Sequence, residues 1–568
     1  MTKAEKEYGR WCAASIEDSA LKEELENIKG NAQEINDRFY RELEFGTAGL
    51  RGIMGAGSNR MNIYTVRGAS QALAQYLLES GVEKKIAIAY DSRNNSELFA
   101  KETARVFAAN GIKVFIFDEL APTPILSYAV RELGCGSGVV ITASHNPAAY
   151  NGYKAYGADG SQITPEVGKR VCDIMMGIDV FSEVKIADFE SALEDGRIEY
   201  ISEELKEKYL EAVKGISLSE GICKKYPVKT VYTSLCGTGI RYVPKMLRAI
   251  GAEDFFIVPE QEEPNGDFPT CEFPNPELNE TLELGIKYCK ESGAELLLAT
   301  DPDCDRVSVA YKEGEDYRIL TGNELGVLIA DYICRIRSER GDMPKDAVAV
   351  RSIVSSPLAD LVAEGYGVKS VGVYTGFRFI AEVIRELEAE GKEESFLFGF
   401  EESCGYLSGS FVRDKDGVQG CLLASETASY WKSRGLTLGD RLSEIYKKYG
   451  YRFDCQSNLY FDGESGMEKM KAIMKELREN APEEVCGYKI GERTDYLSGK
   501  RVKDGAESST GMPAANVLEY KFERGSVIVR PSGTEPKVKA YYSVSGTTLN
   551  DAESTAKEIK KYFEEKMA

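Results

Sequence analysis

One pattern of strands and helices occurs three times between residues 86 and 398. Each round has a strand, a helix, a second strand, another helical segment and a third strand that ends in polar residues. The nine strand segments are Ile86–Tyr90, Val114–Phe117, Val139–Ile141, Val228–Tyr232, Phe255–Val258, Glu295–Ala299, Ala347–Val350, Val368–Val371 and Ser395–Phe398. Because helical segments of about 12 or more residues separate them, the strands predict βαβ units in parallel sheets. We therefore expect three similar α/β domains with a functional loop after each third strand.

The two ends of the chain differ from this repeat. Residues 1 to 40 carry apolar side chains at helical spacing, which predicts leading helices. After Tyr451 we expect two helical stretches, a polar segment, strands at Ser526–Val529 and Lys537–Tyr542, and a last helix, which together form a smaller α+β domain. The predicted domains are 1–212, 213–322, 323–450 and 451–568.

Composition excludes several classes of protein. The chain has 568 residues and a net charge of −21, from 71 Lys and Arg against 92 Asp and Glu, which disfavours nucleic acid and anionic membranes as partners. Its 13 cysteines are odd in number, with no C-x-x-C pair, and indicate free thiols in a reducing compartment. The polar N-terminus is no signal peptide, and no apolar run approaches a membrane span, so the cytoplasm is expected.

In the first round of the repeat, the third strand leads into Thr142-Ala143-Ser144-His145-Asn146-Pro147, followed by Asn151-Gly152-Tyr153-Lys154. Ser144 stands where an open α/β sheet places its chemistry. By itself a Ser-His dipeptide is an ordinary strand-to-turn segment, since neighbours on a strand point to opposite faces. His145 is the only histidine in the chain, so a serine hydrolase triad is a poor fit. Lys154 supplies a cation nearby.

In the second round of the repeat, the third strand leads into three carboxylates at alternate positions, Asp301, Asp303 and Asp305, followed by Arg306. An aspartate-rich turn of this kind is common on protein surfaces without any metal-binding role. Here it follows a buried strand, and three close carboxylates are unfavourable unless a cation binds them. Oxygen ligands alone favour a hard ion such as Mg²⁺. An EF-hand is excluded because its glycine and distal glutamate are missing.

Three further segments have the composition of ligand loops. Phe45–Gly52 is glycine-rich and contains Arg51. Gly399–Tyr406 follows the third strand of the third round of the repeat. In the tail, Val529–Pro536 is a loop of small residues whose guanidinium, hydroxyl and glycine N–H groups suit a phosphate. Its proposed ligands are Arg530, Ser532, Gly533 and Thr534.

Together these segments resemble the loops of the α-D-phosphohexomutases, in the same order and over about residues 40 to 545. The resemblance implies four domains around a central active-site cleft. It implies that Ser144 carries a phosphoryl group, that the metal on the three aspartates also contacts Ser144, and that Arg51 lies in the active site. Residues that match segments near the family's sugar and phosphate sites are Arg306, Thr375, Gly376, Arg378, Glu401, Ser403, Lys415 and the tail loop.

In its details the chain resembles the phosphoglucomutase branch, which also includes phosphopentomutases. The implied reaction interconverts glucose 1-phosphate and glucose 6-phosphate through a phosphoserine and glucose 1,6-bisphosphate, with Mg²⁺, in a monomer or homodimer. Mannose and pentose phosphates are alternative substrates, and a sugar-phosphate phosphatase or a non-catalytic sensor is the alternative of another class. Lys154, with a pKa lowered by burial, is the candidate general acid and base, and His145 is expected to orient the loop.

Overall fold

The structure, a computed structural model, describes residues 1–45, 49–461, 464–532 and 537–567. The described residues form two compact units. The first contains Met1–Ser352 and Tyr366–Leu438, and the second contains Ile353–Gly365 and the chain from Gly439 onward. Within the described residues, no helix is both long and apolar enough to cross a membrane.

The first α/β region of the larger unit has a six-stranded mixed sheet in the order β1-β5-β4-β2-β3-β6. Its elements are α1 (Lys3–Ala13), α2 (Ser19–Asn27), α3 (Ala32–Phe39), β1 (Gly49–Ile53), α4 (Ile63–Ser80), β2 (Lys85–Tyr90), α5 (Ser96–Ala109), β3 (Lys113–Ile116), α6 (Thr123–Glu132), β4 (Ser137–Ile141), β5 (Tyr150–Gly157), α7 (Pro165–Met175), α8 (Phe189–Glu194), β6 (Ile198–Tyr200) and α9 (Glu203–Lys214). The predicted leading helices are confirmed as α1 to α3. They pack on this region's core through Trp11, Leu25 and Phe39.

The second region has a five-stranded sheet in the order β11-β10-β9-β7-β8. Its elements are α10 (Ile222–Lys225), β7 (Thr230–Thr233), α11 (Val243–Ala249), β8 (Phe255–Ile257), α12 (Asn279–Ser292), β9 (Leu296–Thr300), β10 (Val307–Glu313) and β11 (Asp316–Ile319). The third region has the order β13-β12-β14-β15. Its elements are α13 (Gly322–Arg340), β12 (Val348–Ser352), α14 (Leu358–Glu364, grouped with the smaller unit), β13 (Lys369–Val373), α15 (Phe377–Ala389), β14 (Phe396–Glu401), β15 (Gly405–Leu407) and α16 (Gly417–Ser433).

The nine predicted strands are all present, and within each region they pair in parallel. Each third strand, however, is followed by an antiparallel partner, so the sheets are mixed: β4 pairs with β5, β9 with β10 and β14 with β15. Each functional loop is therefore the connection of a hairpin. One residue in each connection has a left-handed backbone, namely Ser144 at φ +53°, Cys304 at +52° and Cys404 at +62°. The three loops share one construction.

The smaller unit is the α+β domain expected for the tail. Its elements are α17 (Leu438–Tyr449), β16 (Tyr451–Tyr460), α18 (Glu464–Glu479), β17 (Glu484–Val485), β18 (Tyr488–Asp495), β19 (Lys500–Lys503), β20 (Ala506–Ser509), β21 (Leu518–Phe522), β22 (Gly525–Pro531), β23 (Lys537–Gly546) and α19 (Leu549–Met567). All described strand pairs in its sheet are antiparallel. The prediction of two helical stretches after Tyr451 is wrong, because only α18 forms there and the following segment forms strands β17 to β21.

Candidate active site

Ser144 lies in the connection between β4 and β5 and is 3% exposed. Its hydroxyl donates to Asp301 Oδ2 at 3.0 Å, and His145 Nδ1 lies 3.1 Å from the same oxygen. With the hydroxyl donating to Asp301, the imidazole donates from Nδ1 to the serine oxygen. Burial, then the charges of Arg306 and Arg51, lowers the pKa of His145 well below its usual value, so the imidazole is neutral. The loop thus presents one oriented hydroxyl to the carboxylate cluster.

Arg93 holds the backbone of this loop and was not predicted as a site residue. Its guanidinium donates to the carbonyl oxygens of Ser144 at 2.5 Å, Pro147 at 2.9 Å and Tyr150 at 3.1 Å, and also to that of Asn146. It is 3% exposed and stacks on the Phe268 ring at 4.9 Å. The available signal was Asp91-Ser92-Arg93, a polar run directly after β2 at the same edge of the sheet.

The three aspartates of the second loop form one buried cluster. Asp301, Asp303 and Asp305 each place a carboxylate oxygen within 4.8 Å of the others, and each is at most 1% exposed. Burial, then the charges of Asp303 and Asp305, raises the pKa of Asp301 well above its usual value. Asp303 Oδ1 and Asp305 Oδ1 are buried with no hydrogen-bond partner in the described part of the chain. Three buried carboxyl groups, two of them with an oxygen left unpartnered by the described residues, fit a hard divalent cation.

Two lysines contact this cluster. Lys154 Nζ lies 2.6 Å from Asp303 Oδ2 and 3.3 Å from Asp305 Oδ2, and Lys415 Nζ lies 3.1 Å from the latter oxygen. Burial alone would lower the pKa of Lys154, but Asp303 and Asp305 outweigh burial and raise it. The expectation that burial lowers the pKa of Lys154 is therefore wrong, because the residue is paired with two carboxylates.

Two arginines flank the cluster. Arg306 forms an ion pair with Glu277, and its backbone N–H donates to Asp301 Oδ1 at 3.0 Å. Arg51 is exposed on β1 opposite Gly152 and donates to Asn146 Oδ1 at 3.1 Å. Residues 46–48 of the glycine-rich loop before it lie outside the described residues. Positively charged side chains thus surround Ser144 and the aspartates.

The third loop contributes Glu401, which is 5% exposed at the end of β14. Its carboxylate accepts from the backbone N–H of Gly376 at 2.6 Å, so it connects the two predicted sugar segments. Burial raises the pKa of Glu401 to about 7. Glu402 instead accepts from Ser352 Oγ at 3.0 Å, Ser403 is half-buried, and Tyr406 lies in the core and donates to the Gly322 carbonyl at 3.0 Å.

The neighbouring segment Thr375–Arg378 leads from β13 into α15. Gly376 has φ +121°, a backbone conformation that favours glycine. Thr375 Oγ1 is buried without a hydrogen-bond partner among the described residues, and the Arg378 guanidinium lies over the Phe379 ring at 4.7 Å. Burial lowers the pKa of Arg378.

The tail loop is described in part. Arg530 lies at the end of β22 and donates to the Tyr541 hydroxyl at 3.3 Å, and the Ser532 N–H donates to the Lys537 carbonyl at 2.7 Å. Gly533 and Thr534 lie outside the described residues.

Four domain models of one family match successive parts of the chain. They are described as Phosphoglucomutase/phosphomannomutase α/β/α domain I at residues 42–180, domain II at 207–314, domain III at 321–449 and the C-terminal domain at 468–560. A phosphoglucomutase of Staphylococcus saprophyticus is 36% identical over 526 residues, 91% of this chain and 93% of that protein. One from Staphylococcus aureus strain bovine RF122 / ET3-1 is 35% identical over 537 residues, 94% of this chain and 95% of that protein.

Solved structures share the fold at lower identity. A phosphoglucomutase/phosphomannomutase family protein from Burkholderia thailandensis has a TM-score of 0.65 at 18% identity, covering 92% of this chain and 96% of its own. Parafusin, a phosphoglucomutase from Paramecium, has a TM-score of 0.68 at 18% identity, covering 93% and 95%. The solved structures confirm the expected fold class. The domain models and the curated relatives confirm a mutase-type enzyme. The chain belongs to the phosphoglucomutase/phosphomannomutase family.

Proposed function

We propose that this enzyme interconverts glucose 1-phosphate and glucose 6-phosphate, with Ser144 as the phosphoryl carrier. The observation that carries the proposal is the hydrogen bond from Ser144 Oγ to Asp301, a member of the buried carboxylate cluster. A nucleophile is thereby fixed beside a group of donors that suits Mg²⁺. Neighbouring cations suit a phosphate, in a chain of strongly negative net charge.

The chemistry consists of two phosphoryl transfers. In the first, the bond from phosphorus to Ser144 Oγ breaks while O6 of glucose 1-phosphate bonds to phosphorus, O6 loses its proton and Ser144 Oγ gains one. The product is glucose 1,6-bisphosphate, which turns over in the site. In the second, the bond from O1 to phosphorus breaks, Ser144 Oγ takes that phosphoryl group and loses its proton, and O1 gains one. Glucose 6-phosphate is released and the phosphoserine is restored.

The charged side chains have distinct roles. Asp301, Asp303 and Asp305 would hold Mg²⁺, which when bound supplies positive charge for the oxygens of the transferring group. Lys154 and Lys415 lie beside these aspartates and neutralise phosphate charge. Arg306 and Arg51 flank the incoming group, as phosphoryl transfer requires. Lys154, in its ammonium form, is the proposed proton donor to the leaving sugar oxygen, while neutral His145 orients Ser144.

Sugar and distal phosphate are assigned to the remaining loops. Glu401 and Ser403 would contact ring hydroxyls, and Thr375, Gly376 and Arg378 would line the same region. Arg530, Ser532, Gly533 and Thr534 would bind the phosphate that is not reacting. Free thiols at all thirteen cysteines, each of them described, agree with a proposed reducing cytoplasm. A monomer or homodimer and the four domain boundaries given above remain predictions.

One assay distinguishes the alternative substrates. Purified enzyme with Mg²⁺ and a trace of the matching bisphosphate should be given glucose, mannose and ribose 1-phosphates, and kcat/KM compared. We expect glucose 1-phosphate to be the preferred substrate. Preference for mannose or ribose phosphate would move the proposal to a phosphomannomutase or phosphopentomutase. Release of inorganic phosphate without isomerisation would indicate a phosphatase, and binding without turnover a sensor.

A further inference from the structure

The Lys415 side chain extends to the aspartate cluster across Gly405, which has no side chain to block it. Lys415 precedes α16, and its side chain passes over Gly405, where a Cβ atom would lie 2.2 Å from Lys415 Cδ. The ammonium lies 5.6 Å from the Phe377 ring centroid and 3.1 Å from Asp305 Oδ2. Lys415 is 8% exposed, so its position depends on a few buried neighbours.

Asp414 is a buried neighbour that binds both the backbone N–H and the ammonium of Lys415. Its Oδ1 accepts from the Lys415 backbone N–H at 2.8 Å and from Lys415 Nζ at 3.2 Å. Its Oδ2 accepts from the Tyr156 hydroxyl at 2.7 Å and from Gln162 Nε2 at 3.0 Å. The carboxylate is fully buried and uses both oxygens, so its orientation is fixed by four donors.

The two outer donors come from a different region of the same unit. Tyr156 is on β5, the strand that also carries Lys154, and Gln162 follows shortly after it. The Tyr156 ring is fully buried, and its hydroxyl gives Asp414 a charge-assisted bond. One strand of the first region thus contacts the aspartate cluster directly through Lys154 and also holds the carboxylate that binds Lys415.

We propose that Tyr156 and Asp414 are positioning residues that set where the Lys415 ammonium lies for phosphoryl transfer. The inference rests on the proposed function, in which Lys415 neutralises phosphate charge. The Tyr156 hydroxyl donates to Asp414, so its effect on Lys415 passes through that carboxylate. A displacement of the ammonium matters most where charge develops in the transition state, so the loss falls on kcat.

The test is a double-mutant cycle between Tyr156→Phe and Lys415→Met, with Tyr209→Phe as the matched control. Tyr209 is also buried, and its hydroxyl donates to Asp416 at 2.9 and 3.0 Å, two residues beyond Asp414. Both tyrosine variants lose one hydroxyl bound to a buried carboxylate, so their unfolding temperatures should fall by similar amounts. Only Tyr156→Phe should slow isomerisation of glucose 1-phosphate, by roughly 5- to 30-fold in kcat with KM within about threefold.

In the Lys415→Met background, Tyr156→Phe should change kcat by less than about twofold, because the ammonium that it positions is gone. Full kcat in Tyr156→Phe, or an equal loss in both backgrounds, would overturn the inference while the proposed function stood. A wild type that isomerises no sugar phosphate would overturn the proposed function and this inference together. If Tyr156→Phe does not fold, Gln162→Met removes the other outer donor and is judged by the same cycle.

Discussion

At the scale of single residues, the backbone that carries Ser144 is held by one guanidinium. Arg93 donates to four carbonyl oxygens of that loop and is itself buried under Phe268. Ser144 has a left-handed backbone, which costs free energy in a residue other than glycine unless the surroundings fix it. We infer that Arg93 supplies much of that restraint.

Replacing Arg93 with methionine should therefore lower kcat by about 10- to 100-fold, because the nucleophile loses its fixed position. Arg105→Met is the control, since Arg105 contacts Glu102 and the Ala187 carbonyl and no residue of the Ser144 loop. Steady-state kinetics with glucose 1-phosphate measure both. An Arg93→Met enzyme with the activity of the control would contradict the assigned role.

Glu401 should give the larger unit a pH-dependent stability. Burial raises the pKa of Glu401 to about 7, so the folded state holds this proton more tightly than the unfolded state. The resulting contribution is complete below the unfolded pKa of about 4.5 and is lost as the pH rises through about 7. Urea unfolding should show that Glu401→Gln removes up to about 3 kcal/mol of the decrease in stability between pH 4.5 and 8. An unchanged pH dependence would contradict this burial effect.

At the scale of elements, the site is built from three hairpin connections of the same design. Each follows the third strand of its sheet, and each includes one residue with positive φ. In the first hairpin, β5 is packed between β1 and β4. At Gly152 a Cβ atom would lie 2.5 Å from the Thr142 carbonyl oxygen and 2.9 Å from that of Leu50. The glycine is thus required by its neighbours rather than by its own backbone.

Gly152→Ala should cost at least about 2 kcal/mol of stability and displace Lys154, two residues along the strand. Gly157→Ala is the matched control, since it ends the same strand and its new Cβ would meet only Asp159 Oδ1, at 3.4 Å, and the Ser161 carbonyl oxygen, at 3.9 Å. Thermal unfolding of the two variants decides between them. Equal stability would show that β5 can shift to accept the methyl group.

The elements also show what sequence could predict. The nine parallel strands were predictable because each is a short apolar run between helices. Their antiparallel partners were not, because β5 contains Asn151, Gly152 and Lys154 and its pairing is fixed only by β1 and β4. Strands β19 and β20 carry charged and exposed residues, without an apolar alternation that would reveal them. The pairing of Lys154 with two aspartates from another region likewise needed the tertiary structure.

At the scale of the whole molecule, a metal ion that binds the three buried aspartates should stabilise the larger unit, because it binds the folded chain in preference to the unfolded one. Mg²⁺ at 100 times its Kd should raise the free energy of unfolding by about 2.7 kcal/mol. Asp303→Asn should lose most of this response, because an amide attracts the ion less. Asp416→Asn, at another buried carboxylate of the same unit, should keep it. Thermal unfolding with Mg²⁺ or chelator measures the response, and equal gains in both variants would place the ion elsewhere.

The central claim is that Ser144 carries a phosphoryl group between the two positions of the sugar. Intact-mass spectrometry after incubation with glucose 1,6-bisphosphate and Mg²⁺ tests it most directly. We predict one added phosphoryl group on the wild type, located at Ser144 by peptide fragmentation and absent from Ser144→Ala, which should have no mutase activity. A Ser144→Ala enzyme that gains the same mass, or that isomerises glucose 1-phosphate at the wild-type rate, would contradict the account.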